Sequence, residues 1–528
     1  MTGKQVIFLP LVIFSFFITR GINLPYVGPN AFNFNIYSII AHNYNKLGLI
    51  STKLAPIVSA SPALPQHPVY YLHHPPLFSV IEALFFRIFG EHFWAGRLTV
   101  IILSFASLVL IYLIGYRLGG KKFAFFSLLI ASLLPAFSMF GRMIGQEPLV
   151  LFFALLTLFL VLSNTELSKK SRKTYLFFIY PSIILGTLSD WPMVYFVLSL
   201  APYLIYKKRF KLLLSMLITA ITTALLFLLY IALVNSGLSD LQSSFINRSL
   251  GEVLKLQYWP FIWAATILLR FFVYFNPVIT LLSFFFLFKL FSQIRSKHFS
   301  PKNMVYLGLF IFGFIHVSLY PEGSFGHPYW IYYFIPFITY SSAMTLLKFS
   351  KNYFILLAVF LFSFFFLLRV EKWKTGEIKA NIWRYDLAQK ASNYLLPYEK
   401  VAVNENSSMD IDILHYKFLH DIDVKDNNSI SDKKYRHYIY SCTTSCNVRD
   451  KNLQYLILRY DYKKLGSSQG EAYIFFLKEP AIKSKLDKIR NASDEKNAVK
   501  EALIVRERES IFKTIYIYIK SFLHLPQI

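Results

Sequence analysis

The chain has 528 residues, of which 55% are hydrophobic, 18% aromatic and only 16% charged, with a net charge of +26. A soluble domain carries about 25% charged residues, so a disordered chain, a collagen-like fibre and an ordinary cytosolic enzyme are all excluded. In a many-spanning membrane protein Lys and Arg collect on cytoplasmic loops. The positive balance therefore reads as topology, and no nucleic-acid partner is expected.

The first apolar run, Val6–Thr19, is followed by Arg20-Gly21-Ile22-Asn23-Leu24-Pro25. No small-residue cleavage site is present there, so the run reads as an uncleaved anchor. Further apolar runs lie at about 97–117, 123–140, 148–163, 174–189, 191–206, 211–235, 273–291, 303–320, 329–347 and 352–369. A bilayer asks for roughly 20 apolar residues per helix, and the pattern predicts about eleven spans. Basic loops follow the even-numbered spans: Lys121-Lys122, Lys169 to Lys173, Lys207 to Lys211, Arg295 to Lys302, and Lys348 with Lys351. These loops and the N-terminus are thereby expected in the cytoplasm of a multi-pass protein of the cell membrane. Residues 20–96, 141–147, the turn near 190, 236–272, 321–328 and everything after 370 are expected outside.

The first outer loop is long and aromatic. Ile36, Ile39, Ile40, Asn43, Tyr44 and Leu47 fit a short amphipathic helix. Leu77 to Phe89 is a second apolar stretch between Pro75-Pro76 and Gly90, too short to span. Both are expected to lie in the membrane interface, as is Trp259 to Phe272. After residue 370 charge becomes dense. Strand-like stretches appear at Lys400–Val403, Arg436–Tyr440, Tyr455–Arg459 and Ala472–Leu477, with helix-like stretches between and after them. The expected organisation is a transmembrane domain over 1–370 and an extracytoplasmic α/β domain over 371–528. The tail Ile511 to Leu523 is amphipathic. Cys442 and Cys446 lie close together on the expected outer side, where a local disulfide is open to them. As a metal pair they lack two further nearby ligands.

Ionisable residues at the outer helix ends are costly if they face lipid, so they tend to face a cavity. They include His42, His67, His73, His74, Glu82, Glu91, Arg97, Arg142, Glu147, Asp190, Glu322 and His327. Each also has an ordinary account: helix N-terminal stabilisation for Glu147, capping before Trp191-Pro192 for Asp190, and interfacial anchoring for His327.

The block His74-Pro75-Pro76-Leu77, then Phe89-Gly90-Glu91, then Gly96-Arg97-Leu98, resembles the first-loop signature of GT-C type membrane glycosyltransferases. The subgroup is that of protein O-mannosyltransferases and aminoarabinose transferases. Leu134-Pro135, Arg142, Glu147-Pro148-Leu149 and His327-Pro328-Tyr329-Trp330 extend the resemblance over about residues 1–350. It implies a sugar moved from a polyprenyl-phosphate donor to a protein, lipid or glycan acceptor, by inversion, outside the membrane. An acid acts as base on the acceptor, and basic or His side chains hold the phosphate. Catalytic candidates are then Glu147, Asp190 and His74. Substrate-binding candidates are His73, Arg97, Arg142, His327, Tyr329 and Asn35. His73, His74, Glu147 and Asp190 also supply ligand types that make a divalent metal a candidate cofactor.

The departure is in the first loop. No Asp or Glu occurs between Gly21 and Ile81, and the usual acidic site reads Gly28-Pro29-Asn30-Ala31-Phe32-Asn33-Phe34-Asn35. An amide cannot act as general base. Glu147 is therefore the leading candidate, and a non-catalytic relative that binds a lipid-linked glycan is the alternative. A transporter or flippase would need polar groups at the midplane and paired halves, which the sequence does not show.

Overall fold

A computed structural model describes residues 3–28, 31–166, 169–235, 238–250, 255, 258–296, 300–404, 407, 409, 411–425, 435–443, 446–447 and 450–480. The tail at 511–523 lies outside the described residues. Apolar runs between basic loops become a helical bundle because each helix satisfies its own backbone, which lipid cannot do. The helices are α1 Gly3–Ile18, α2 Ala31–Leu47, α3 Leu77–Phe89, α4 Phe93–Leu133, α5 Pro135–Gly141, α6 Glu147–Glu166, α7 Lys169–Ser189, α8 Pro192–Ser199, α9 Ala201–Tyr206 and α10 Phe210–Asn235. Then follow α11 Ser239–Ser249, α12 Trp259–Phe275, α13 Pro277–Arg295, α14 Pro301–Leu319, α15 Pro321–Gly326, a 3-10 turn Pro328–Phe334, α16 Ile335–Leu346 and α17 Tyr353–Ser392.

Among the described residues, six helices are long and apolar enough to cross a membrane. Shorter apolar helices cover Phe8–Ile18, Thr174–Ser189, Pro192–Tyr206 and Trp259–Phe275. The boundaries differ from those expected for local reasons. The spans expected at 97–117 and 123–140 are the two helical segments of α4, parted at Gly120, whose φ of 77° lies in the left-handed region open to glycine. The expected span at 273–291 starts later, because Asn276 at φ 75° separates α12 from α13. The expected span at 329–347 opens as a 3-10 turn and becomes α-helical only at Ile335.

The interfacial helices of the first loop form as α2 and α3. On α3, Phe78, Ala83 and Phe86 are buried, while Leu84, Ile88 and Phe89 are exposed. That two-sided apolar pattern suits a helix lying between protein and lipid.

The helix α17 runs straight through residue 370, so the expected domain boundary falls inside one helix. Its last turns carry Trp383, Leu387, Ala388 and Ala391 into a core shared with α2, α3 and Val401 and Val403 of the sheet. The strands are β1 Lys400–Val403, β2 Asp421–Val424, β3 His437–Thr443, β4 Tyr460–Gly466 and β5 Gly470–Pro480, in the order β2-β1-β3-β5-β4. β1 pairs in parallel with β2 (Lys400 opposite Asp421) and with β3 (Ala402 opposite Tyr438). A short helix, α18 Ile411–Tyr416, connects β1 to β2. Cys442 and Cys446 are joined as a disulfide.

The expected strand Tyr455–Arg459 is instead part of α19, Lys451–Arg459. Asp450 caps it by accepting from the amides of Asn452 (2.8 Å) and Leu453 (3.2 Å). Leu453 and Leu456 are buried three residues apart. Helical spacing and a good cap override the strand propensity of the Tyr-Leu-Ile-Leu run.

Candidate functional site

One cavity of about 570 Å³ opens where the first loop meets the starts of α6 and α8, the helix α11 and the Pro328–Phe334 turn. The size is that of a small-molecule site. Its walls alternate rings with few polar groups, as expected for a site that must orient a small ligand.

The first loop delivers Tyr71, His73 and His74. The segment is pinned from the α7–α8 corner by two adjacent residues. The Trp191 indole donates to the carbonyl of His73 (2.8 Å), and Asp190 Oδ1 meets His74 Nδ1 at 2.9 Å. His74 and Asp190 are both buried. Burial pushes the Asp190 carboxyl up, but the His74 ring and the Trp191 amide outweigh it and hold it below the usual carboxylate range. Burial, then His74 and Arg248, push His73 down to about 2, so its ring stays neutral. Burial lifts the Tyr71 hydroxyl to about 12 against the pull of Arg248, so it remains a neutral hydrogen-bonding group.

Glu147 is the first residue of α6 and lines the cavity. It is 5% exposed, and its Oε2 has no hydrogen-bond partner. A buried acceptor left open at a cavity wall is a place for a ligand donor. The adjacent Gln146 is oriented by the Tyr37 hydroxyl, which donates to Gln146 Oε1. Its amide nitrogen is thereby turned to the His74 ring, 3.1 Å from Nδ1 and 3.4 Å from Nε2.

Arg248 enters from α11, with Nη1 3.4 Å from His74 Nε2. It is the one Lys or Arg among the described cavity residues. His327 lies on the same wall; burial, then Arg248 and Arg270, push its ring down to about 4. Tyr329 follows it into the cavity, and Asn33 stands at the first turn of α2.

The structure thus brings together Glu147, Asp190, His74, His73, His327 and Tyr329. It does not bring in the other three expected ligands. Arg97 donates to the carbonyls of Ile22 (2.8 Å), Leu24 (2.5 Å) and Pro25 (3.4 Å), and its guanidinium stacks on Tyr26. Arg142 pairs with Glu371 at 2.7 Å and donates to the carbonyl of Phe17. Asn35 donates to the carbonyl of Tyr26 (3.2 Å). All three hold backbone or buried charge, because irregular chain at a helix end needs donors for its carbonyls. Of the other ionisable candidates, His42 pairs with Glu91 (2.8 Å), Glu82 is buried beside Ser38 (3.1 Å), and His67 is exposed.

Sequence reasoning missed Arg248, Gln146, Tyr37 and His316. For Arg248 a signal existed: it is a basic residue in a loop expected to be outside, where Lys and Arg are depleted. Gln146 and Tyr37 gave none, since a neutral polar residue near a helix end is unremarkable. Among the described residues no three His, Cys, Asp or Glu side chains are grouped to ligate a metal.

Residues 73–234 match the dolichyl-phosphate-mannose-protein mannosyltransferase family. A search of curated proteins finds no match. ArnT from Cupriavidus metallidurans, solved bound to undecaprenyl phosphate, superposes with a TM-score of 0.61 at 11% identity, over 89% of this chain and 97% of that one. The Archaeoglobus fulgidus oligosaccharyltransferase tethered with an acceptor peptide containing the NVT sequon gives 0.53 at 11% identity, over 89% and 74% of the two chains. The same enzyme in complex with Zn and sulfate gives 0.50 at 14% identity, over 88% and 72%. The fold is that of the GT-C membrane glycosyltransferases, as the first-loop resemblance implied.

Proposed function

We propose that this GT-C-fold protein is an integral membrane glycosyltransferase that moves a sugar from a polyprenyl-phosphate donor to an acceptor nucleophile in the described cavity. The observation that carries the reading is the convergence of an open carboxylate (Glu147), a His–Asp pair (His74–Asp190) and one arginine (Arg248) in an aromatic cavity at the helix ends. The match of residues 73–234 and the superposition on a structure holding undecaprenyl phosphate support the same donor class.

An inverting displacement needs a base for the acceptor and a positive seat for the departing phosphate. Glu147 takes the acceptor proton. Arg248 holds the donor phosphate through its fork of N–H groups. The faces of Tyr71, Trp191 and Tyr329 flank the sugar. Leu228, Leu238 and Leu241, on α10 and at the start of α11, give the prenyl chain an apolar exit.

The cavity lies at the helix ends opposite the basic loops, so it faces outside if those loops are cytoplasmic. The N-terminus is then cytoplasmic, and the α/β part over 371–528 stands on the outer side with the first loop. Sugar and acceptor are to be found by glycan analysis of a deletion strain.

Asn33, at the cavity edge where an acid is usual, supports the alternative of a non-catalytic glycan-binding relative. The two readings part on Glu147→Gln. Glycan transfer falls by 10²-fold or more in that variant, with donor binding kept, if Glu147 is the base. Full transfer in E147Q would remove Glu147 from that role, and absence of transfer by the unaltered protein would favour the binding relative.

A further inference from the structure

Just after α2 the first loop makes a tight turn that ends in exposed apolar side chains. Ile50 at its tip is 94% exposed, and Leu49 and Leu54 are exposed beside it. A grouped apolar tip of this kind marks a contact surface. The backbone beneath it is closed on itself. The carbonyls of Gly48, Leu49, Ile50 and Thr52 accept from the amides of Thr52 (3.1 Å), Leu54 (3.0 Å), Lys53 (2.9 Å) and Ala55 (2.9 Å). Those of Lys53 and Leu54 accept from the hydroxyls of Tyr230 (2.9 Å) and Tyr44 (2.8 Å). Lys53 and Leu54 hold φ values of 55° and 59°, a left-handed shape that side-chained residues rarely take. Such a shape persists where its surroundings fix it, and it is a pointer to function.

The Tyr230 bond gives the turn a depth. Tyr230 lies five residues before the end of α10 at Asn235, and at 1.5 Å per residue that is about 7 Å inward. Leu226 and Leu233, four residues before and three after, share its side of the helix and are exposed, as is Leu229. Phe210–Val234 is apolar enough to cross a membrane, so these leucines face lipid. The turn therefore stands against the lipid-facing edge of a span, below its end. Carbonyls already taken are what a non-helical segment needs at that level. Lys53 is exposed beside the tip, and its long stem can lift the charge to the headgroups.

We propose that residues 49–54 form an apolar wedge seated at the headgroup–acyl boundary of the leaflet on the cavity side. Its occupant is phospholipid acyl chains, and the seat anchors the part of the first loop that enters the cavity. The wedge leads straight into a short antiparallel pairing. Ile57 bridges Tyr70, the Val58 amide donates to the Val69 carbonyl (2.9 Å), and the Tyr71 amide donates to the Pro56 carbonyl (2.8 Å). Leu72 then packs on Phe227 and Ile231 of α10. Tyr71, His73 and His74 follow into the cavity. Ile50 touches nothing in the cavity and acts as a positioning residue through this pairing.

The test uses the full-length protein in phosphatidylcholine nanodiscs. The chain has two cysteines, joined to each other, so an introduced cysteine is the one thiol that takes a nitroxide label. At Ile50→Cys, collisions with oxygen should exceed those with a water-soluble nickel chelate several-fold. The pattern should match Leu233→Cys on the lipid face and oppose Ser468→Cys in the exposed β4–β5 turn. Nickel-dominated collisions at residue 50 overturn the wedge. Low collision with both reagents means that protein covers the tip and overturns the lipid occupant. The anchoring is read separately, with farnesyl methyl phosphate as probe and the fluorescence of Trp191 and Trp330 in the cavity wall as signal. Ile50→Asp should weaken its binding about tenfold, by lowering the fraction of molecules with the loop in place. Ile50→Leu should bind as the unaltered protein does. Unchanged binding in I50D overturns the anchoring. The collision pattern is independent of the glycosyltransferase reading, whereas absence of probe binding by the unaltered protein counts against that reading.

Discussion

We predict that Arg142→Met destabilises the protein without impairing donor binding by the molecules that remain folded. Arg142 Nη2 lies 2.7 Å from Glu371 Oε2, and Glu371 is wholly buried. The Ser138 hydroxyl donates to the other carboxylate oxygen at 2.8 Å, and Arg142 Nη1 donates to the Phe17 carbonyl at 2.7 Å. The network thus ties α1, α5 and α17 together. Removing the guanidinium leaves a buried carboxylate with one neutral donor, which costs about 3–5 kcal/mol. Coulomb attraction of about 4 kcal/mol for such a pair at an effective dielectric near 20 agrees. Glu371→Gln should cost a comparable amount from the other side. The double variant Arg142→Met with Glu371→Leu should be less destabilised than either single one, because no charge is left buried. The coupling in the cycle should then reach about 2 kcal/mol or more. Unfolding by denaturant in detergent, followed by tryptophan fluorescence, measures it. Additive single and double effects, or an R142M protein of full stability that no longer binds farnesyl methyl phosphate, would refute the reasoning and return Arg142 to the phosphate site.

Arg248→Ala should weaken binding of the same probe by about 10- to 100-fold, the size of a charge-assisted contact of 1.5–3 kcal/mol. Arg248→Lys should recover only part, since the forked geometry is lost; titration of the fluorescence change distinguishes the two. Glu82 gives a pH dependence of stability. Burial pushes its carboxyl up from 4.5 to about 8, with Ser38 opposing and Glu91 adding. The folded state therefore keeps a proton that the unfolded chain loses, so this group's contribution to stability falls as pH rises from about 4.5 to 8 and levels off above. Glu82→Gln should flatten that fall, a few kcal/mol at most, in unfolding midpoints compared near pH 5.5 and 8.5.

Much of this was written in the sequence, for physical reasons that differ from part to part. Apolar length and basic loops gave the bundle, since lipid leaves a backbone few choices. α3 matches its expected stretch, Leu77 to Phe89, because Pro75-Pro76 and Gly90 punctuate it. The break at Gly120 was legible, falling beside Lys121-Lys122 between two apolar runs, whereas that at Asn276 was not, because tertiary packing selects its φ of 75° inside one apolar run. At α19 the Tyr-Leu-Ile-Leu run serves either period, and the Asp450 cap decides for the helix. In the site, the acids and histidines were legible because they are rare among apolar spans. Tyr37 and Gln146 were not, because their part is to orient His74, and no sequence spacing links residues 37, 74 and 146.

The arginines show most clearly where sequence reading stops. Arg97, Arg142 and Arg270 lie near outer helix ends, where a charge facing lipid is costly, and for the first two that suggested an anionic ligand. Each meets backbone carbonyls instead. Arg97 takes those of residues 22, 24 and 25, and Arg142 that of Phe17. Arg270 takes those of Ser324 and Phe325, with Trp263 donating to the Ser324 hydroxyl. An irregular chain crossing from helix to loop in an apolar setting leaves carbonyls with no partner, and one guanidinium offers five donors in a fixed plane. Such an arginine holds the wall of a cavity in place: Arg270 fixes the segment that carries His327, and Arg142 sits five residues before Glu147. Arg248 differs in what it meets, a histidine ring edge and open cavity. The difference between an arginine that builds the site and one that binds the ligand thus lies in the acceptors within its reach.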